Sequence, residues 1–327
     1  MKNMKKLFMI LCIMAMVAGL AACAGSSKET KAVPAETAEN EKNETVKTEA
    51  DDSAAATEYP VTIQDSNGTE VTFDTEPVKV VSMAPNITEM IYQLGLEDRL
   101  IGRTTYCDYP EEVSAIEEVG TLREPNIEKI ISMEPDVVIA STHFSEESEK
   151  QLTDLGVKVV ILYEEKKIDG VYTMIETMGR MFNVNEAATE TIQEMESSIN
   201  ETKAAVDGLE APSVYYVVGF GEYGDYTAGG DTFVGELIAL TGGDNIALEV
   251  SGWSYTLESI VEADPEIIII SEDMKESFMA SEHYCDLTAV KNGNVYGIDA
   301  NLVERQGARN AEGARILAEI FHPEAFK

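Results

Sequence analysis

The chain has 327 residues, enough for two medium domains with cores of their own. Sixty acidic against 24 basic residues leave a formal net charge of −36, which excludes a nucleic-acid backbone as partner because that surface asks for clustered cations. With 44% hydrophobic and 7% aromatic residues the bulk is neither disordered nor a multi-span membrane protein, four cysteines are too few for a disulfide scaffold, and three histidines are too few for a His-rich metal site.

Lys2, Lys5 and Lys6 precede an apolar run from Leu7 to Leu20, and small residues follow at Ala21-Ala22. This is the layout of a secretory signal over 1–22. Leu20-Ala21-Ala22-Cys23 resembles the bacterial lipobox, and the resemblance implies that Cys23 is lipidated and becomes the mature N-terminus. No later run approaches the roughly 20 apolar residues of a membrane span. The expectation is an extracytoplasmic protein anchored to the cell membrane through its lipid alone. Residues 23–58 read as that lipidated cysteine followed by a disordered acidic linker of Ala, Thr, Ser, Glu and Lys. As a coil the linker spans roughly 30–35 Å. Cys107 and Cys285 then remain, and pairing in an oxidising compartment and two free thiols both stay open.

Val61 to Phe73 alternates around Asn67-Gly68, which predicts a hairpin with a type I′ turn. Strand-like runs follow at 78–83, 137–140 and 157–162, separated by helical patterns at 88–94, 127–133 and 146–155. A second set of strands is predicted at 214–218, 267–270 and 295–298, with helices near 232–240, 257–262 and 286–290. Strands alternating with helices imply parallel sheets. Asn126-Ile127-Glu128 leads through Pro135 to Asp136-Val137-Val138-Ile139-Ala140-Ser141, and Thr256-Leu257-Glu258 leads through Pro265 to Glu266-Ile267-Ile268-Ile269-Ile270-Ser271. Asn126 and Thr256 are good N-caps, so Glu128 and Glu258 are placed in the first turns of equivalent helices. Between the sets, residues 185–207 carry Ala188, Ile192, Met195, Ile199 and Ala204 or Val206 on one helical stripe. The predicted fold is α/β: two pseudo-symmetric lobes with parallel sheets, 59–184 and 208–327, joined by one long rigid helix over 185–207. Such a joint predicts small hinge motion.

The hairpin and Val80-Val81-Ser82-Met83-Ala84-Pro85-Asn86-Ile87-Thr88-Glu89 resemble the opening of the iron-siderophore/cobalamin class of ABC-transporter substrate-binding proteins. So do Tyr106-Cys107-Asp108-Tyr109-Pro110, Asn126-Ile127-Glu128, Ala263-Asp264-Pro265 and Phe321-His322-Pro323-Glu324, in family order from Tyr59 to the C-terminus. The cobalamin-binding branch is the most similar, through Thr105–Pro110 and the Ala84-Pro85-Asn86 turn. The resemblance implies a class III periplasmic-binding-protein fold and a monomeric, non-catalytic receptor. Its partners are a small-molecule chelate, a permease dimer with its ATPase, and the membrane through the lipid only. No resident cofactor or metal is implied. The transported ligand is cobalamin, with a ferric siderophore or haem as alternatives. An extracytoplasmic enzyme is the competing class, but no G-x-S-x-G elbow, H-E-x-x-H pair or Ser/His/Asp set is found.

Ligands of α/β sheets collect beyond the carboxyl ends of strands. Aromatic residues gather in those loops at Tyr106, Phe220, Tyr223, Tyr226, Trp253 and Tyr255, and flat rings suit a large, partly apolar ligand. Tyr106 and Trp253 resemble positions that touch corrin, whereas Leu122 stands where that branch can have a further tryptophan. Arg123, Arg305 and Arg309 are candidates for amide, phosphate or carboxylate groups, and His143 for a hydrogen bond or haem iron. In the family, glutamates matching Glu128 and Glu258 meet permease arginines; a carboxylate in a helix's first turn suits this because the helix dipole keeps it ionised. Gly219-Phe220-Gly221-Glu222-Tyr223-Gly224 fits a dinucleotide fingerprint, but six residues intervene before the next helical pattern, so a flexible ligand loop is expected instead. The signal holds three lysines and the linker an excess of five acids, which leaves −34 on 59–327. With Arg103, Arg123, Arg305 and Arg309 in predicted cleft loops, the expectation is an acidic shell around a locally basic mouth.

Overall fold

The computed structural model describes residues 55–164 and 166–327. The predicted signal, Cys23 and residues 24–54 of the linker lie outside the described residues. The end of the linker is tied down: Thr57 donates its N–H to Asn183, and Asn185 donates to the Ala55 carbonyl and the Thr57 hydroxyl. Strands β1 (Val61–Gln64) and β2 (Glu70–Phe73) form the predicted hairpin. Its turn is not the two-residue type I′. The Asp65 carboxylate accepts the N–H groups of Asn67 and Thr69, which pulls the chain into a three-residue loop with Gly68 in the left-handed region at φ 82°.

Runs such as Val137–Ala140 and Ile267–Ile270 have no polar alternation, so both faces must be covered, as in a parallel sheet flanked by helices. The first lobe is built from β3 (Val80–Ser82), α1 (Pro85–Gln93), β4 (Leu100–Arg103), α2 (Ile127–Ser132), β5 (Val137–Ala140), α3 (Glu146–Asp154), β6 (Val159–Ile161) and α4 (Ile168–Phe182). Its parallel sheet has the order β4-β3-β5-β6. Helix α5 (Asn185–Val206) leads out of it. The second lobe comprises β7 (Ser213–Val217), β8 (Asp225–Tyr226), α6 (Phe233–Leu240), β9 (Asp244–Asn245), β10 (Ser254–Tyr255), α7 (Leu257–Ala263), β11 (Ile267–Ser271), α8 (Glu272–Ala280), α9 (Thr288–Asn292), β12 (Val295–Ile298), α10 (Asn301–Glu304) and α11 (Asn310–Phe321). Its four-stranded sheet has the order β9-β7-β11-β12, all parallel.

In chain order both sheets read second, first, third, fourth strand, so the lobes share one topology. The internal repeat extends into the hydrogen bonding. Asn126 caps α2 by accepting from Lys129 N–H, and Thr256 caps α7 by accepting from Ser259 N–H. Glu134 and Asp264, each just before its proline, are both left-handed, with φ of 52° and 42°. Asp136 and Glu266, each just after, accept N–H groups from the start of the neighbouring first strand, at Val78 and Lys79 and at Ser213.

Alternate side chains of each strand face opposite ways. Val81 and Val138 point to one local core, and Tyr215, Ile268 and Ile270 to another. The other faces, with Val80, Val137 and Ile139 of the first sheet and Val214, Ile267 and Ile269 of the second, belong to a single cluster that spans both lobes. Helix α5 runs through it with Ala188, Ile192, Met195 and Ile199; Val206 at its end is also buried, whereas Ala204 is exposed. At ~1.5 Å per residue its 22 residues make a rod of about 33 Å. Helix α4 from one lobe and α11 from the other both pack on it. Among the described residues no helix is long and apolar enough to cross a membrane.

Gly179 sets the crossing of α4 and α5, because a Cβ there would come within 2.6 Å of Ala188 Cβ. Gly179→Val should therefore separate the helices and destabilise the protein by about 1–3 kcal/mol, read as a lower urea midpoint. An unchanged midpoint would show that the crossing tolerates the added volume.

Candidate functional site

In a sheet of this strand order the chain turns to opposite sides beyond the first and third strands, and a ligand crevice is expected at their carboxyl ends. In the first lobe β3 ends at Ser82 and Pro85 opens α1, a position where the absent N–H is no loss. Pro85 and Asn86 thus lie at the strand end, and the buried Asn86 Nδ2 reaches Ser141 Oγ, just past β5, at 3.5 Å. Ser141, Thr142 and His143 continue the wall, with His143 in the left-handed region at φ 70°. Glu164 and Lys166, past β6, close this side.

The second lobe supplies Asp231 to Val234 at the start of α6, Ser251 to Trp253, and Glu304 to Gln306. Thr232 caps α6 by accepting from Gly235 N–H at 3.1 Å. Asp231 accepts from Gly252 N–H and Ser251 Oγ, both at 2.7 Å, and so pins the Trp253 loop to the head of α6. These two hydrogen bonds, the Gly252 N–H first, hold its carboxyl below the ordinary 3.8. Gly229 and Gly230 pass so close to the backbone of Leu248 and Val250 that a Cβ on either would meet a carbonyl oxygen within 2.4 Å. Those two glycines therefore serve close packing rather than loop flexibility. The dinucleotide geometry is absent here, because β8 intervenes between the glycines at 219–224 and α6.

Together the walls enclose an open cleft of about 540 Å³, with polar groups such as Asn86, Thr142 and Gln306 beside apolar contact from Trp253, Phe233, Val234 and Pro85. Desolvation pushes the Glu304 carboxyl up although the residue still reaches solvent, and the Tyr216 hydroxyl, donating at 2.9 Å, works the other way. Hydrogen bonds across the cleft join the lobes. Glu164 and Gln306 exchange two, backbone N–H to side-chain oxygen at 2.9 Å and side-chain N–H back to the carbonyl, and Ile168 donates its N–H to Glu236 at 2.6 Å.

The strongest link is ionic. Glu89 of α1 meets Arg305 Nη1 at 2.9 Å and Arg309 Nε at 2.9 Å, and Arg305 Nη1 also meets Asp108 at 2.6 Å. The Glu89, Arg305 and Arg309 side chains are only 9%, 16% and 19% exposed. Arg309 also lies over the Tyr109 ring, 3.9 Å from its centroid. The hydrogen bond from Arg305 holds the Asp108 carboxyl below its usual range. Burial works against the charge of Arg305, but its bonds to Asp108 and Glu89 outweigh that and raise its pKa.

Of the sequence-predicted ligand residues, the structure brings His143, Trp253 and Arg305 into the cleft wall. It places the others elsewhere. Phe220 packs edge-on against Phe278 and Tyr284, with centroids 5.0 and 5.5 Å away. Tyr255 donates its hydroxyl to the Ile246 carbonyl, and Arg309 is held in the ion pairs above. Tyr106, Arg123, Tyr223 and Tyr226 are exposed outside the wall, the Tyr226 hydroxyl donating to Tyr223 carbonyl. The mouth is not basic. Arg103 is buried and bound to Val113 and Thr104 carbonyls and to Glu118, while Arg305 and Arg309 are neutralised by acids. Glu164, Lys166 and the head of α6 were missed, although the strand-end rule applies to β6 as it does to β5.

Glu128 and Glu258 are both exposed in the first turns of α2 and α7, at equivalent places on the two lobes. Cys107 is buried, with its sulfur 3.1 Å from Thr88 Oγ1 and 3.2 Å from Thr104 Oγ1, and Cys285 is exposed. Both are free thiols.

A family model described as periplasmic binding protein matches residues 80–302. The uncharacterised ABC transporter substrate-binding lipoprotein YvrC of Bacillus subtilis strain 168 is 35% identical over 277 residues, covering 82% of this chain and 88% of its own. A cobalamin-binding protein of Halobacterium salinarum is 29% identical over 286 residues, covering 83% and 76%. Among solved structures, a possible iron-binding periplasmic solute-binding protein from Staphylococcus epidermidis aligns with a TM-score of 0.67 at 27% identity, over 76% of this chain and 100% of that one.

The Asp231 tie generates a pH prediction. A carboxylate whose folded pKa is depressed contributes stability that is complete above its unfolded value, here 3.8, and is lost as pH falls through the folded value. Trp253 emission should therefore shift to the red only below pH 3.8 in the wild-type protein. Asp231→Asn should show the shifted emission already at pH 7. Identical emission of the two proteins across that range would mean that Asp231 does not hold the loop.

Proposed function

The chain belongs to the periplasmic-binding-protein family, and from that membership we propose that it is an extracytoplasmic solute-binding lipoprotein that captures a corrinoid such as cobalamin, or a ferric chelate, and delivers it to an ABC-transporter permease. The observation that carries the reading is a cleft walled by loops of two lobes that share one core and one topology. A cleft between loops at the ends of parallel strands suits the capture of a solute.

Cobalamin is favoured within this class by the similarity to the Halobacterium protein. The wall also has suitable chemistry. Trp253, Phe233 and Pro85 offer flat and apolar contact to a corrin ring, and Asn86, Thr142 and Gln306 offer neutral donors and acceptors to its amides. A second reading, haem, is favoured by one observation, the His143 imidazole in the cleft wall. Titration with cyanocobalamin, a ferric siderophore and haem, followed by quenching of Trp253, the chain's one tryptophan, decides among them. Absence of binding by all three at micromolar concentration would remove this reading.

Membrane attachment is assigned to a lipid on Cys23, in keeping with the lipoprotein relative. Cys23→Ser should move the protein from the membrane fraction to the soluble one. Docking is assigned to Glu128 and Glu258, exposed at matched positions and able to accept bidentate arginines from a permease dimer. The double charge reversal Glu128→Lys/Glu258→Lys should abolish uptake while leaving solute affinity unchanged. Persistent uptake would refute the docking role.

A further inference from the structure

Arg305 is the only arginine among the described residues that line the cleft, and it has two carboxylates on the same nitrogen. We propose that Glu89 determines the ligand charge that the cleft accepts: it holds Arg305 and Arg309 in ion pairs and so keeps the cleft from recognising anionic chelates. This deepens the solute-binding reading given above and rests on it.

Glu89 lies one turn along α1 from Pro85 and Asn86, which form the wall. Its neighbours Asn86, Ile87, Thr88, Met90 and Ile91 are buried, and its own carboxylate is almost wholly removed from solvent. A carboxylate in such a place is costly unless paired. Its ion-pair partners are both on the opposite lobe, Arg305 through Oε1 and Arg309 through Oε2, with a further 3.3 Å contact from Arg309 Nη2 to Oε1. With Asp108 the cluster holds two cations and two anions and is neutral as a whole. An anionic ligand group would have to displace a carboxylate already at hydrogen-bond distance, in a cleft whose wall also carries Glu164, Asp231 and Glu304 against one lysine, Lys166. Neutralising Glu89 reverses this balance, because Arg305 then presents an under-compensated guanidinium to the cleft.

The test uses Trp253, which lines the same cleft, and needs no solute. In the full chain, quenching by iodide is compared with quenching by neutral acrylamide at a constant ionic strength of about 0.1 M, where charges are felt over about 10 Å. Glu89→Gln should raise the iodide-to-acrylamide ratio by about twofold, Arg305→Gln should lower it, and the double variant should lose the rise. Acrylamide quenching alone reports any loosening of the loop. An unchanged ratio in Glu89→Gln, or a rise that survives in the double variant, overturns the proposal. If Glu89→Gln does not fold, Arg305→Gln decides, since a ratio equal to wild type overturns it as well.

The solute arm compares haemin, which carries two carboxylates, with cyanocobalamin. Glu89→Gln should tighten haemin binding by about tenfold, the scale of one charge-assisted hydrogen bond, and leave cyanocobalamin within about threefold. A loss of affinity for both would make Glu89 a merely structural residue and overturn the proposal. If the wild-type protein binds neither solute, the receptor reading loses its ligand, while the quenching ratio still decides the role of Glu89.

Discussion

Along α5, Ala188, Ile192, Met195 and Ile199 are buried in a cluster that also contains Val80 and Ile139 of one sheet and Val214 and Ile269 of the other. Any rigid opening of the lobes must therefore draw apolar surface into water, at about 2.5 kcal/mol for each 100 Å² exposed. The two-sided burial of the strands makes this possible. Each sheet uses one face for a local core and lends the other to the common one, so the lobes have separate sheets and an undivided interior. A long helix would be a poor hinge by its stiffness alone. Here it is also the element on which α4 and α11 meet.

On the cleft side the lobes are joined by a different kind of contact. Glu89 with its two arginines, the paired bonds of Glu164 and Gln306, and the Ile168–Glu236 bond all cross from one lobe to the other. Truncating one partner of such a desolvated pair costs about 3–5 kcal/mol, because the survivor keeps a buried charge. The contacts are directional where the core is not, so they define the aperture that the core only limits. They also account for the fate of the arginines. On a body with a net charge of −34, Arg103, Arg305 and Arg309 sit against carboxylates, and the cleft is more neutral than the positions of Arg305 and Arg309 along the chain imply.

The repeat was legible because local chemistry writes it: an N-cap, a first-turn glutamate, a proline and an apolar strand recur at equal spacing, and each does the same thing in both lobes. The strands at 137–140 and 295–298 lie where the apolar runs predict them. Strand β9 is only two residues long and was invisible, and β4 holds Gly102 in the middle of a short apolar run. Helix α4 was missed although Ile168, Val171, Met174, Ile175, Met178 and Met181 make a clear stripe. The cleft was legible only by strand ends. Phe220 and Tyr255 sit in the right loops, but whether a ring turns to the cleft or to the core depends on neighbours such as Phe278 and Ile246, which no local pattern reveals. Glu89 looked like any helical acid, since its partners lie 216 and 220 residues away.

The symmetry of the fold also has a boundary. Past β5 the chain makes the Ser141–His143 wall, whereas past β11 it enters α8 at once and contributes nothing to the cleft. Past β3 a two-residue turn leads to Pro85, whereas past β7 fifteen residues precede α6, and Asp231 at their end holds the Trp253 loop. The lobes thus agree where α2 and α7 present Glu128 and Glu258, and differ where the cleft is lined. A two-fold pair of exposed carboxylates suits a partner that is itself two-fold, while an asymmetric cleft suits a solute that is not. One duplicated topology can meet both demands because the helix starts are set by capping, and the cleft by loops that the sheets leave free to vary.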